Sequence, residues 1–204
     1  MSATTRKRAD GSEYAREAED YYRTPAWAVR VIHPYLPPDS DNLSVLDAGA
    51  GDGAIADALP YGLRTLCSEQ NAHKREALCE KGYNLVGWEG EADFFSTCTC
   101  FDLVVMNPPY AQAMEFVRHA IKITEEENGM VAALLRLPWL ASQVRASFHR
   151  AHPAQVLVLP RRPSFTKDGK TDATDYAWFC WGNNSGARRP TLAGTWEILE
   201  VEGK

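Results

Sequence analysis

The sequence predicts an α/β domain: a mostly parallel sheet with helices on both faces and an antiparallel edge. Three observations carry this. Short apolar runs alternate with helix-patterned segments from Leu43 to His149. The run from Phe101 to Met106 is apolar throughout after Asp102, as a strand covered on both faces requires. Beyond His149 the pattern changes, and Gln155 to Leu159, Tyr176 to Trp181 and Trp196 to Val201 read as strands with little helix between them. Repeated strand–helix units build a parallel sheet, and a terminal run of strands closes its edge.

The elements follow in order. Residues 1–20 read as a polar tail without fixed structure, with a helical turn or two from Glu13 to Tyr22, and 21–204 as one domain. Pro25 forces Thr24 to be extended and opens a helix to Tyr35, with Thr24 as its N-cap. Strands are expected at Leu43–Asp47, Leu63–Ser68, Tyr83–Trp88, Phe101–Met106 and Met130–Leu137. Helices are expected at Ala54–Leu59, His73–Lys81, Ala113–Thr124 and Trp139–His149. Pro160 to Asp175 reads as a long polar loop.

Composition narrows the class. The chain has 204 residues, 45% hydrophobic and 24% charged, which is ordinary for one globular domain. No apolar run reaches the roughly 18 residues that span a bilayer, so no membrane partner is expected. The charged first 20 residues lack the apolar stretch of a signal peptide, and the expected location is the cytoplasm. Five cysteines at irregular spacing argue against a disulfide framework, and neither they nor the scattered histidines fall at metal-ligand spacing, so no metal is expected. Charge is unevenly spread. Residues 131–190 carry nine Lys/Arg against three Asp, a net +6 in a chain of net charge −5. Such a basic third suits phosphates, or simply solvates a face.

Two motifs follow two strands. The first is Asp47-Ala48-Gly49-Ala50-Gly51-Asp52-Gly53. Its glycines permit a tight turn and a close approach by a ligand. Glu69, 20 residues after Gly49 at the end of the next strand, suits a ribose diol. Asp47 would repel a pyrophosphate and attract a cationic amine, which favours S-adenosylmethionine over a dinucleotide. The second motif is Asn107-Pro108-Pro109-Tyr110, about 55 residues further on. The prolines freeze the chain and fix where the Asn side chain and the Pro108 carbonyl point. Both oxygens are acceptors that would grip the hydrogens of a planar amino group. Tyr110 offers a flat face for a ring.

This pair of motifs resembles class I S-adenosylmethionine-dependent amino-methyltransferases. More narrowly, it is similar to the DNA adenine-N6 methyltransferases of the Asn-Pro-Pro-Tyr type, small phage and prophage members included. The resemblance spans roughly residues 20–181 and implies a Rossmann-like, seven-stranded fold. It implies that Thr24 and Pro25, with Tyr22, close over the methionine end of the cofactor. Asp47, Gly49 and Gly51 would line the methionine part, Glu69 would hold the ribose, and Asp93 and Phe94 would flank the adenine. Asn107, Pro108, Pro109 and Tyr110 would be the catalytic motif, with Asn107 also beside the cofactor. Phe165 would close on the target base.

The implied reaction is direct methyl transfer from S-adenosylmethionine to the N6 amino group of an adenine flipped out of DNA. The segment after Tyr110 leaves little room for a target-recognition domain, so sequence specificity is expected to be low. Arg161, Arg162, Lys167 and Lys170 are the expected phosphate contacts. RNA adenine, a protein glutamine amide, and a non-catalytic nucleic-acid-binding role remain alternatives. A dinucleotide oxidoreductase would leave Asp47 and the tetrapeptide without a role. Trp139 and Trp178 are expected in the core.

Overall fold

The computed structural model describes residues 5–7, 13–15, 22–38, 42–86, 93–165, 171–182 and 193–200. Strands β1 (Thr5–Lys7) and β2 (Glu13–Ala15) pair antiparallel, with Lys7 opposite Glu13. This falls within the expected tail, and β2 replaces the helical turn expected from Glu13. An isolated helix of one or two turns is marginal in water, whereas pairing satisfies the backbone.

The main sheet holds β3 (Val45–Ala48), β4 (Thr65–Ser68), β5 (Leu103–Met106), β6 (Met130–Arg136), β7 (Gln155–Val158), β8 (Tyr176–Gly182) and β9 (Trp196–Ile198). Its seven strands run in the order β4-β3-β5-β6-β8-β7-β9. All share one direction except β8, which lies antiparallel between β6 and β7. The outermost strand, β9, pairs parallel to β7. The expected strand at Tyr83–Trp88 is reduced to one parallel bridge, Leu85 with Cys67. Its end, from residue 87, lies outside the described residues.

The helices are α1 (Ala26–Arg30), α2 (Ala72–Glu80), α3 (Ala113–Glu125) and α4 (Ala146–Ala151). Strand alternation divides the core. Leu103 and Val105 face a layer containing Ala28, Val29 and Ile32 of the α1 region, and Val104 and Met106 face Phe116, Val117 and Ala120 of α3. Trp178 is fully buried, and its Nε1 donates to the Ala28 carbonyl at 2.6 Å. Trp139 packs edge-on against Phe179 on the α3 side.

Three local expectations are corrected. The helix expected at Ala54–Leu59 is a single 3-10 turn, Ala56–Ala58. Pro60 forces Leu59 into extended conformation (φ −73°, ψ 152°) and leaves too few residues for an α-helix. The helix expected at Trp139–His149 is a 3-10 turn, Leu137–Leu140, followed by α4. The chain leaves helical geometry between them at Ala141 (φ −92°, ψ 82°). Thr24 is not the cap of α1: Pro25 holds that position, and the Thr24 hydroxyl is engaged elsewhere.

Candidate active site

β3, β4 and β5 deliver their C-terminal ends to one edge of the sheet, where a cleft of about 350 Å³ opens. Parallel strands gather loop residues at this end, where α/β folds bind ligands. After β3, Gly49 (φ 70°), Gly51 (φ 60°) and Gly53 (φ 80°) all adopt left-handed backbone, which L side chains rarely tolerate. The end of β4 and the residue after it satisfy this turn. The Gly49 N–H reaches Ser68 Oγ at 3.3 Å, the Ala50 N–H the Ser68 carbonyl at 2.9 Å, and the Gly51 N–H donates to Glu69 Oε2 at 2.7 Å. Glu69 Oε1 accepts from the Asn71 N–H at 2.9 Å. Amides that would cradle a pyrophosphate in a dinucleotide site thus already serve a carboxylate.

Asp47 lies beneath this turn and is only 1% exposed, so it does not line the cleft. Its Oδ2 accepts from the Ala56 N–H at 3.0 Å, and its Oδ1 has no hydrogen-bond partner among the described residues. Burial raises this carboxyl to about 7, the Ala56 N–H opposes the rise, and Glu69, Asp52 and Asp57 add to it. A cation bound above it would favour its charged form.

The cleft's far wall is aromatic. Phe94 stacks on Phe116 at 4.9 Å between centroids, and both line the cleft with Ala54 and Ile55. Asp93 caps the turn that carries Phe94 and accepts from Gln70 Nε2 at 3.0 Å. His119 meets the Phe94 ring edge-on at 4.7 Å, and burial lowers its pKa.

Asn107 follows β5 directly. Its Nδ2 donates to the Tyr22 carbonyl at 3.1 Å and to Thr24 Oγ1 at 3.0 Å. These two acceptors identify the nitrogen end of the amide. No described residue donates to Asn107 Oδ1 or to the Pro108 carbonyl. The segment Tyr22–Thr24 therefore lies across the Asn-Pro-Pro-Tyr segment, and Arg23 Nε bonds Asp52 of the glycine turn at 2.6 Å. Tyr110 stacks on Tyr22 with centroids 5.8 Å apart, and Phe165 stands edge-on to Tyr22 at 5.9 Å and to Tyr176 at 5.0 Å.

Of the expected residues, Tyr22, Thr24, Gly49, Glu69, Asp93, Phe94, Asn107 and Pro109 line the cleft. Pro25, Gly51, Pro108 and Tyr110 are not among its lining residues. Phe165 is buried in the adjoining aromatic group. Arg161 lies over the Trp27 ring at 4.4 Å, and Arg162 Nε bonds Asp175 at 2.8 Å. Lys167 and Lys170 lie outside the described residues. Sequence reasoning missed Arg23, Gln70, Asn71, Lys74 and Phe116 on the cleft wall. Gln70 and Asn71 directly follow Glu69. Phe116 lies on the apolar face of α3, where its spacing signals only burial.

No family model matches the chain, and no curated protein matches it. Solved structures do. The methyltransferase subunit of a type I restriction-modification system from Streptococcus thermophilus is 17% identical, with a TM-score of 0.61. The match covers 82% of this chain and 46% of that one, so the chain spans less than half of that subunit. A protein provisionally assigned as a class I S-adenosylmethionine-dependent methyltransferase from Listeria monocytogenes is 10% identical over 86% of this chain and 64% of that one, with a TM-score of 0.57. A ribosomal protein L11 methylase from Lactobacillus delbrueckii subsp. bulgaricus is 16% identical over 76% of each chain, with a TM-score of 0.53. The chain has the Rossmann-like fold that these methyltransferases share.

Proposed function

We propose that this chain transfers a methyl group from S-adenosylmethionine to the N6 amino group of adenine in DNA. The observation that carries the reading is the Asn107 amide. Its nitrogen is tied to Tyr22 and Thr24, which leaves Oδ1 as the end that would accept from the amine of a substrate. Oδ1 and the Pro108 carbonyl are two acceptors on a segment that two prolines hold rigid. Accepting both N–H bonds of an exocyclic amine draws its lone pair out of the ring and directs it at the electrophile. This costs no reorganisation during reaction.

The cleft suits the cofactor by its chemistry. Glu69, its carboxylate held by two backbone amides, retains lone pairs for a ribose diol. The stacked pair Phe94 and Phe116 would form an aromatic wall for the cofactor's adenine, and Asp93 would face its polar edge. Thr24, Gly49 and Asn107 would bound its methionine end, and buried Asp47 makes that end favourable to positive charge. When bound there, S-adenosylmethionine supplies an electrophilic methyl group on a sulfonium.

The aromatic residues around Tyr110 favour a ring-borne amine over an aliphatic side-chain amide. Arg161 and Arg162, at the start of the 160–175 loop, would meet phosphates, as would Lys167 and Lys170. Among the described residues no helix is long and apolar enough to cross a membrane.

The test is transfer from labelled cofactor to DNA, RNA and protein in parallel, followed by nucleoside analysis. N6-methyladenine in DNA, lost with Asn107→Ala, is the expected result. Label in RNA or protein alone overturns the choice of DNA. Cofactor binding without any transfer overturns the catalytic reading.

A further inference from the structure

Behind Tyr110 lies a polar group that the proposed chemistry does not use. Arg136 ends β6 and is the direct cross-strand partner of Tyr176 at the start of β8. Cross-strand partners in an antiparallel pair project to the same face, so sheet register brings these two side chains together. The Tyr110 hydroxyl donates to the Tyr176 hydroxyl at 3.1 Å, and Arg136 Nε donates to the same oxygen at 3.2 Å. The Tyr176 hydroxyl in turn donates a hydrogen bond to Asp172 Oδ2 at 2.7 Å. The Arg136 guanidinium lies 3.5 Å from that carboxylate and 4.6 Å from the centroid of the Tyr110 ring.

Each contact fixes a different freedom of Tyr110. The hydroxyl link fixes where the ring's far end lies. The guanidinium lying over the ring fixes its tilt through the attraction of a cation for an aromatic face. It also draws electron density from that ring, which strengthens stacking with an electron-rich partner. Asp172 is buried, so its attraction for Arg136 is screened less than in a surface ion pair. Arg136 and Tyr176 thus stand on two paired strands, and Asp172 joins them from the segment before β8.

We infer that Arg136 and Tyr176 are positioning residues, which hold the Tyr110 ring at the angle required by the amine-bearing ring that stacks on it. This rests on the reading of the site given above. It also changes the role of Arg136, which by charge alone would be counted among the phosphate-holding residues.

Two variants test it. Arg136→Lys keeps a charge beside Asp172 but loses the planar fork that reaches Tyr110 and Tyr176 together. Tyr176→Phe keeps the buried ring and removes only the shared hydroxyl. Each is expected to lower kcat for adenine methylation by about 10- to 100-fold. Cofactor affinity, measured by titration with S-adenosylhomocysteine, should stay within about twofold, because neither residue lines the cofactor cleft. The double variant should be little worse than the poorer single one, since both act through one ring. A kcat within about twofold of the parent in either folded variant overturns the inference. So does parallel loss of kcat, cofactor affinity and thermal stability, which marks a merely structural role. If the unaltered protein methylates no adenine, the reading of the site falls and takes this inference with it.

Discussion

The two halves of the site are built on different principles. In the half around the glycine turn, which the proposed function gives to the cofactor, acidic groups are fixed by backbone amides: Glu69 by Gly51 and Asn71, Asp47 by Ala56, Asp93 by Phe95. In the half around Tyr110, which the proposed function gives to the substrate, rings hold rings: Tyr22, Tyr110, Phe165 and Tyr176 touch one another edge-on, stacked or tilted. Backbone hydrogen bonds are directional and leave little play. Ring contacts have broad minima and tolerate sliding. The first half suits one invariant ligand. The second suits a ring that must arrive and leave.

The contrast can be broken most severely at the residue shared by both halves. Asn107→Ala should lower kcat by about 10²- to 10³-fold while cofactor affinity changes far less. Labelled-methyl transfer and equilibrium titration measure the two separately. A loss of cofactor affinity with kcat unchanged at saturating cofactor would show that Asn107 serves the cofactor half alone.

Next comes Glu69→Gln. The variant keeps one acceptor oxygen, yet the carboxylate serves two N–H donors on opposite oxygens. Cofactor affinity should fall by about 10-fold, with kcat at saturating cofactor little changed. Titration against the parent decides it, and unchanged affinity would remove Glu69 from the binding wall.

Asp47 gives a smaller effect with a defined sign. Its carboxyl is raised from 3.8 to about 7 in the folded chain, chiefly by burial. Between these values the folded state holds a proton that the unfolded state releases. Stability from this group is therefore complete below 3.8 and erodes as pH rises toward about 7. Melting curves from pH 5 to 8 should decline less steeply for Asp47→Asn than for the parent. Parallel slopes would contradict a buried, titrating carboxyl.

The smallest effect belongs to the exposed pair Arg23–Asp52, which ties the Tyr22–Thr24 segment to the glycine turn at 2.6 Å. Arg23→Ala should cost less than about 1 kcal/mol of stability. Its signature should be kinetic: stopped-flow release of the cofactor becomes a few-fold faster. A large drop in melting temperature with unchanged release would reverse that assignment.

Legibility followed the range of the interactions. The glycine turn and the Asn-Pro-Pro-Tyr segment were readable because their geometry is set within a few residues, by left-handed glycines and proline rings. Most strands of the sheet were readable from apolar runs. The helix expected after the glycine turn does not form because Pro60 holds Leu59 extended and ends it after one 3-10 turn. The depth of Asp47 was invisible, since a strand-end acid can face the cleft or the turn beneath it. The partners of Asn107 lie more than 80 residues away in sequence, and no local signal joins them to it. Tyr176 read as one apolar strand residue among several. Only the β6–β8 register sets it beside Arg136.

The pinning of Glu69 from both sides has a consequence for affinity. A carboxylate already immobilised by Gly51 and Asn71 surrenders almost no rotamer entropy when a ligand hydroxyl arrives. The Glu69 end of the cleft, the ribose end on the proposed function, is thus preorganised, and the entropic cost of ordering it is met during folding. The amides of Gly51 and Asn71 should therefore exchange slowly with solvent deuterium even in the ligand-free protein.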